Sequence, residues 1–521
     1  MTPATAQPQR VSQRLSNQDA SFLYIESQSG PMHVGSIGIF EGTISFERLL
    51  RSVEARMHLV PRLRQRLGFV PFNLAHPTLE DDPDFRIENH VKLHQLRPGS
   101  SDADMIRAAM DIFEVPFDRS RPLWEAHLFH GLEGNRSAIL STVHHCLIDG
   151  VSGVELTILL MDLSPEAPAI EPPEEAWQPA PFPTAAQRLS RAIFDRAEAR
   201  LDSARSTVAS LRDQNLFGRA SSESATVARL VRRFARRTLA APAWNAAPVT
   251  QKRSLAYYKC SFSDVRAIRA AMGCTVNDVV LTILSEAAAR YMKEHDCDAD
   301  GKILRIGCPV NVRREDETGT LGNRVSMMFP EVPAYPIDPA ARLKLVAEAT
   351  HEIKGAREAQ TLDAFAAAAD LVPPSLMGIA SAVASTAMDT SSWLSGKAPA
   401  LTRMIMPAVG INFIATNVPG VQVPLYTCGH RMLDTIGLLF LAGNLGYGVA
   451  IASYDQNLCF GLVADPHLMP DLELMRLLVA QVFEELKLCA AVPKQDAPRI
   501  QTRSPSRRTE TSLEPELLKH G

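Results

Sequence analysis

The sequence predicts an α/β protein of two units joined by an arginine-rich helical connector, and three observations lead there. The 521 residues exceed the roughly 250–300 at which a single hydrophobic core stops growing. Strand-like and helix-like apolar spacings recur on both sides of residues 164–250, as expected of mixed α/β units. Composition then changes abruptly at Ser164, from folded-domain sequence to a run crowded with Pro and Glu.

The first unit is expected over residues 15–163, after a flexible start at 1–14. Val34 to Phe40 and Ala138 to Val143 read as strands, bounded by glycine and polar residues. Between them, Leu49, Leu50 and Val53 give Phe46 to Met57 a helical spacing. Pro165 to Pro183, with Pro172, Pro173, Glu174 and Glu175, has linker composition. Ala186 to Ala240 follows with twelve arginines against five acidic residues, a local balance of +7. Two helices broken near Gly218 are expected, one with a stripe of Leu189, Ile193, Ala197, Leu201 and Val208. The other stripe is Val227, Leu230, Val231 and Phe234. A basic amphipathic helix suits an anionic membrane or lipid-droplet surface. The same pattern also describes a solvated connector packed through its apolar stripe.

The second unit is expected over residues 251–492. Thr275 to Tyr291 and Pro339 to Ala359 are helical by pattern, and Arg305 to Val312, Gly410 to Asn417, Tyr447 to Ser453 and Leu458 to Ala464 are strand-like. The tail, 493–521, lacks apolar periodicity and is expected to be disordered.

An apolar fraction of 46% and a charged fraction of 21% are those of an ordinary globular protein. A formal charge of −4 gives no global attraction to nucleic acid. The eight cysteines include no Cys-x-x-Cys pair, so neither a zinc ribbon nor a redox couple is suggested. The start lacks a signal peptide's apolar core, and no apolar run approaches the roughly 20 residues of a membrane span. A cytoplasmic protein with at most peripheral membrane contact is expected.

The most informative segment is His144-His145-Cys146-Leu147-Ile148-Asp149-Gly150. An apolar strand runs directly into two histidines, and neighbours on extended backbone point to opposite sides. One imidazole can therefore face a reaction channel while the other supports the fold. Imidazole can take a proton near neutral pH and return it to a leaving group. Asp149 can orient the loop, and Gly150 permits close approach of a ligand or backbone. Metal binding is disfavoured because adjacent histidines diverge and no third ligand sits at a familiar spacing. Two satisfied core histidines are the plain structural alternative; the Asp-Gly at this spacing favours the functional one.

His-His-x-x-x-Asp-Gly resembles the signature of coenzyme A-dependent acyltransferases and of nonribosomal peptide condensation domains. The rest of the chain resembles the bacterial wax ester synthase/diacylglycerol acyltransferase family. Segments that carry the resemblance are Pro31-Met32-His33-Val34-Gly35, Asp118-Arg119-Ser120-Arg121-Pro122-Leu123-Trp124-Glu125 and Asn277-Asp278-Val279-Val280. Further on come Pro309-Val310-Asn311-Val312-Arg313, Gly322-Asn323, Asn417-Val418-Pro419-Gly420, Pro424-Leu425-Tyr426 and Ser453-Tyr454. They keep the family's order from Leu15 to Leu488. The chain departs from the family at Leu79, near which a Trp is usual, at Val421 (Pro) and at Glu286 (a small residue). Its Arg-rich segment and polar tail are also long.

The resemblance implies two chloramphenicol-acetyltransferase-like domains joined by a helical crossover, with the reaction channel between them. It implies long-chain acyl transfer from acyl-CoA to diacylglycerol or a fatty alcohol, with His145 as general base and no cofactor, acyl-CoA being a substrate. His144, Asp149 and Gly150 would support the motif, and Asp149 would pair with Arg64. Asn277 and Asp278 would either cap a helix or line the channel, and Arg313 would either meet CoA phosphates or form a structural ion pair. Trp124 and Pro122 would pack beneath the loop, Gly420 would form a turn, and Cys146 would be packing rather than a nucleophile. Two alternatives carry other expectations. An amide-forming condensation enzyme predicts a carrier site of the Gly-x-Asp-Ser-Leu type, which the sequence lacks. A non-catalytic protein of lipid surfaces would be expected to lose His145 or Gly150, and both are present.

Overall fold

The computed structural model describes residues 13–147, 161–167, 170, 176–195, 197, 237–246, 250–311, 325–355 and 410–491. Chain order in the first part is β1 (Gln13–Arg14), α1 (Asn17–Ile25), β2 (His33–Glu41), α2 (Phe46–Arg56), β3 (Gln65–Gly68) and β4 (Thr78–Asp81). Then come β5 (Val91–Ser100), α3 (Asp102–Phe113), β6 (Trp124–Leu132) and β7 (Arg136–His144). The later part begins with β8 (Ser254–Ser261), α4 (Phe262–Met272), α5 (Val276–Glu294), β9 (Ile303–Asn311), β10 (Val325–Met328), β11 (Glu331–Pro333) and α6 (Pro339–Gly355). It ends with β12 (Phe413–Val418), β13 (Tyr426–Thr427), β14 (His430–Leu438), β15 (Tyr447–Tyr454), β16 (Asn457–Ala464) and α7 (Leu472–Ala491).

Two large sheets organise these elements. The first runs β13-β14-β2-β7-β6-β5, and the second β10-β9-β12-β15-β16-β8 with β11 beside β9. A small sheet, β1-β4-β3, stands apart. The expected boundary at residue 250 is therefore crossed: β13 and β14 come from the later half of the chain yet complete the first sheet. β14 pairs antiparallel with β2, from Met432 opposite Phe40 to Leu438 opposite Gly35. Its apolar side chains Ile436 and Leu438 share a core with Ile37, Ile39 and Leu140 of the first sheet and Ala450, Cys459 and Val463 of the second. The sheets approach so closely that a Cβ on Gly461 would stand 2.2 Å from the Gly437 carbonyl oxygen. Glycine is required there by backbone proximity, which any side chain would block.

Helices α4 to α7 pack with the second sheet around a core that includes Val279, Leu284, Phe413, Phe460 and Phe483. α5 starts at a capping box: Thr275 accepts from the Asp278 N–H while Asp278 accepts from the Thr275 N–H, satisfying two donors at a helix start. The helix expected to run to Ala359 is described to Gly355; the remainder lies outside the described residues. Of the Arg-rich connector, residues 185–195 are helical and most of the rest, with Gly218, lies outside the described residues. The expected stripe is turned in this helix: Ala192 is buried, Leu189 half-buried, and Ile193 and Ala197 exposed. Arg188 donates to the Phe69 carbonyl, and Ile193 and Phe194 are exposed.

Candidate active site

β7 delivers the two histidines. Its alternate residues Ala138, Leu140, Thr142 and His144 are buried, and the β2 register sets His33 opposite His144. The strand ends at His144 and the chain turns. The His144 N–H donates to the Leu123 carbonyl (2.9 Å), the His145 N–H to the Met32 carbonyl (2.9 Å) and the Leu147 N–H back to His144 (3.0 Å). The two histidines thus separate as the sequence predicts, His144 fully buried and His145 half-exposed.

Aromatic rings from two distant parts of the chain hold His145. Phe22 of α1 stacks on the imidazole at 4.1 Å between centroids, and Phe440, just beyond β14, meets it edge-on at 5.4 Å. The borrowed strand β14 thus brings a side chain to the histidine loop. His144 is held differently. Its Nδ1 accepts from the Cys146 N–H (3.1 Å), which puts the ring proton on Nε2. Nε2 faces Glu26 Oε1 at 3.4 Å, long for a hydrogen bond, so the attraction there is chiefly electrostatic.

Glu26, which the sequence reading did not single out, collects several contacts. Its Oε1 accepts from the Met32 N–H (3.0 Å) and its Oε2 from Arg119 Nη2 (2.7 Å). Burial pushes its pKa up, but the electrostatic attraction of the nearby His144 imidazole, the Met32 N–H and Arg119 outweigh that and hold it at about 2. His33 Nδ1 lies 3.1 Å from the Phe113 carbonyl, while Nε2 has no hydrogen-bond partner among the described residues. Burial and the neighbouring His144 bring its pKa down to about 4. Cys146 is completely buried, and burial pushes its thiol well above the usual range. A thiol that stays protonated is a poor nucleophile, in keeping with packing.

Trp124 is buried, donates from Nε1 to the Leu63 carbonyl (2.7 Å) and stacks on His90 at 4.8 Å; its neighbour Leu123 is the residue that shares a core with Cys146 and Leu147. Asp149 and Gly150 lie outside the described residues, and with Asp149 so does its expected pair with Arg64. Arg64 is buried, its guanidinium 4.4 Å over the Trp177 ring. Arg62, two residues earlier, reaches the loop by donating to the Leu147 carbonyl (2.8 Å).

Asn277 and Asp278 sit at the start of α5. Asp278 is buried, with Oδ2 accepting from the Thr275 N–H (2.8 Å) and Oδ1 from Thr350 Oγ1 (2.7 Å). Its carboxylate therefore caps α5 and ties it to α6; Asn277 beside it is half-buried. Glu286, where a small residue was expected, is fully buried between Arg290 (2.9 Å) and Arg342 (2.5 Å). Gly420 meets a tighter constraint than a turn: a Cβ there would lie 2.1 Å from the Ser453 carbonyl oxygen. Arg313, Gly322 and Asn323 lie outside the described residues. No group of three or more His, Cys, Asp or Glu suited to a metal occurs among the described residues. No single described helix is long and apolar enough to cross a membrane. α4 and α5 qualify jointly by composition but meet at 99°, and most of α5 is buried in the core.

Comparison with known proteins adds to this geometry. Residues 15–280 match the wax ester synthase/diacylglycerol acyltransferase catalytic domain, and residues 321–487 the WS/DGAT C-terminal domain. A putative diacylglycerol O-acyltransferase of Mycobacterium tuberculosis is 30% identical over 488 residues, covering 88% of this chain and 87% of the relative. A probable diacylglycerol O-acyltransferase of the same organism is 28% identical over 461 residues, 88% of this chain and 92% of the relative. Among solved structures, the wax ester synthase/diacylglycerol acyltransferase of Marinobacter aquaeolei VT8 shares the fold with a TM-score of 0.60 at 21% identity. It aligns over 92% of this chain and all of its own. The first condensation domain of the CDA synthetase shares it with a TM-score of 0.56 at 14% identity, over 94% of this chain and 99% of its own.

Proposed function

The chain belongs to the wax ester synthase/diacylglycerol acyltransferase family and is an acyltransferase; we propose that it transfers a long-chain acyl group from acyl-CoA to diacylglycerol, with His145 as general base. The observation that carries the assignment is the half-exposed imidazole of His145 at the end of β7, seated between Phe22 and Phe440.

His145 takes the hydroxyl proton of the alcohol as its oxygen attacks the thioester carbonyl. A C–O bond forms and the carbonyl oxygen carries the negative charge of the tetrahedral intermediate. Collapse breaks the C–S bond, and the imidazolium returns its proton to the departing CoA thiolate, so the histidine ends as it began. No acyl-enzyme is needed, because the thioester is already activated, and the buried thiol of Cys146 takes no part. Holding the two substrates in line at one imidazole accounts for much of the acceleration expected. A fatty alcohol that reaches the same nitrogen would give a wax ester by the same steps.

The two parts of the chain are taken as 15–163 and 251–492, joined by 164–250, with β13 and β14 returning to the first sheet. Peripheral association with a lipid surface is part of the reading. Ile193 and Phe194 are 56% and 69% exposed on the described portion of the Arg-rich helix, and apolar residues on a basic helix suit an anionic interface. Deletion of 186–240 should reduce flotation with phosphatidylglycerol liposomes; unchanged flotation would remove the anchor.

Purified protein and a His145→Ala variant, each given palmitoyl-CoA with dipalmitoylglycerol or hexadecanol, test the chemistry. Thiol release and ester formation by the wild type are expected, with at least a ~100-fold loss in the variant, the scale of general acid–base contributions. Equal ester from both proteins would remove His145 as the base.

A further inference from the structure

We propose that Glu26 is a positioning residue for His145, acting through the Met32 peptide, through α1 and through His144. The inference rests on the reading of His145 as the general base.

Glu26 sits where a buried carboxylate is least expected. It is the C-cap of α1, at the negative end of a helix dipole, and its side chain is 7% exposed. Desolvation and the dipole both oppose an anion there, so its partners must hold it. Arg119 does so twice, donating from Nη2 to Glu26 Oε2 (2.7 Å) and to the α1 carbonyl of Leu23 (2.9 Å).

Three routes lead from this carboxylate to His145. The first is backbone: Glu26 Oε1 accepts from the Met32 N–H (3.0 Å), and the Met32 carbonyl accepts the His145 N–H (2.9 Å). The peptide segment that receives the catalytic residue's backbone is therefore fixed on its other side by Glu26. The second is the stacking ring. Phe22 lies one turn earlier on α1, its carbonyl accepting the Glu26 N–H (3.2 Å), so the tether that fixes the end of α1 also fixes the ring over His145. The third is electrostatic. Glu26 faces the Nε2–H of His144 at 3.4 Å, favouring the tautomer whose Nδ1 receives the Cys146 N–H and so the turn that presents His145. Glu26 touches no reacting atom in this scheme. Its role is to keep the imidazole within the few tenths of an ångström that productive proton transfer requires.

The test uses the full-length chain as wild type, Glu26→Gln, Glu26→Ala and His145→Ala. Two readouts separate this proposal from the acyl-transfer reading. Carbethoxylation of His145 by diethyl pyrocarbonate, followed across pH by peptide mass spectrometry, reports the environment of the imidazole without turnover. Removing an anion disfavours the imidazolium, so Glu26→Gln should lower the midpoint of modification by a few tenths of a pH unit or more. Where palmitoyl-CoA and dipalmitoylglycerol are turned over, kcat should fall by roughly 10- to 100-fold with KM for acyl-CoA within about twofold, as expected of misplacement rather than lost substrate contact. Glu26→Ala, which also loses the Met32 acceptor, should fall further. An unchanged His145 midpoint in folded Glu26→Gln would overturn the proposal, as would a kcat that falls only in step with the folded fraction seen by circular dichroism. A wild type that forms no ester would count against the acyl-transfer reading alone, because the modification profile still decides whether Glu26 governs His145.

Discussion

Glu26 and Glu286 are both buried carboxylates gripped by arginine, and their partners give them different work. Glu286 spends both oxygens inside the second part of the chain: Oε1 accepts from Arg290 Nε, Oε2 from Arg342 Nε and from the Ile337 N–H. Arg290 continues to Glu485 through two bonds of 2.8 and 2.6 Å, so α5, α6 and α7 are clamped together. Glu26 is bound to Arg119, to the Met32 peptide and to His144, a set that ends at the histidine loop. The same ion-pair chemistry thus serves helix packing in one place and imidazole placement in the other. A buried pair is weak evidence for stability by itself, since desolvation offsets much of the attraction. The identity of the third partner tells the two roles apart.

The sharpest way to break this comparison is to remove both carboxylates separately. Glu286→Ala should leave Arg342, itself fully buried, without its carboxylate and cost about 3–5 kcal/mol of stability, the usual price of half a buried pair. Its activity per folded molecule should stay within about twofold of wild type, because none of its partners touches the histidine loop. Urea unfolding and kcat measured on the same preparations check both halves. A Glu286 variant that is stable but slow, or a Glu26 variant that is unstable with a normal His145, would reverse the assignment.

Acid should distinguish the two sites next. Glu26 is held at about 2 against an ordinary 4.5, so its contribution is present above the unfolded value and is lost as pH falls through the folded one. Between about pH 5 and 2 this amounts to stability on the order of 3 kcal/mol. Glu125, also held at about 2, adds to the same slope, so Glu26→Gln should flatten the acid limb without abolishing it. His33 works in a higher window. Its imidazole, brought down to about 4 from 6.5, is kept neutral by the fold while the unfolded chain takes up a proton. Stability is therefore lost as pH falls from 6.5 towards 4, and a folded His33→Gln variant should lack that part of the loss. Denaturation midpoints at half-unit pH intervals resolve the two windows; identical profiles for wild type and both variants would contradict the assignments.

How far the sequence anticipates this arrangement depends on how local each feature is. β7 was legible because an apolar run from Ala138 to Val143 leads into two histidines, and an extended backbone must send their side chains apart. The helix start at Thr275 was legible from Asn277 and Asp278, because an acid at the third helical position suits a capping box; the tie of the Asp278 carboxylate to Thr350, 72 residues away, was not. β14 was not legible. Its sequence HRMLDTIGL is interrupted by a register shift between Met432 and Asp434, which blurs the alternation, and its partner β2 lies nearly 400 residues earlier. With β14 went Phe440, whose contact with His145 follows only from that pairing. Glu26 was missed for a similar reason: a lone acid after an apolar helix looks like surface, and only folding brings Arg119 and His144 to it.

The smallest effect offers the finest discrimination. Cys146 lies between the two histidine roles, its N–H bound to His144 Nδ1 and its side chain packed among Leu15, Leu23, Leu79 and Leu147. Cys146→Ala keeps the N–H and removes the sulfur, so the tautomer of His144 and the placement of His145 should survive. A loss of about 1 kcal/mol of stability is expected for the vacated volume, with kcat unchanged within about twofold. That outcome would show that the loop is positioned through backbone and charge, the route assigned to Glu26, and that a protonated buried thiol takes no part in acyl transfer. A large drop in kcat at normal stability would instead make the packing under the loop, rather than the carboxylate beside it, the feature that sets the imidazole.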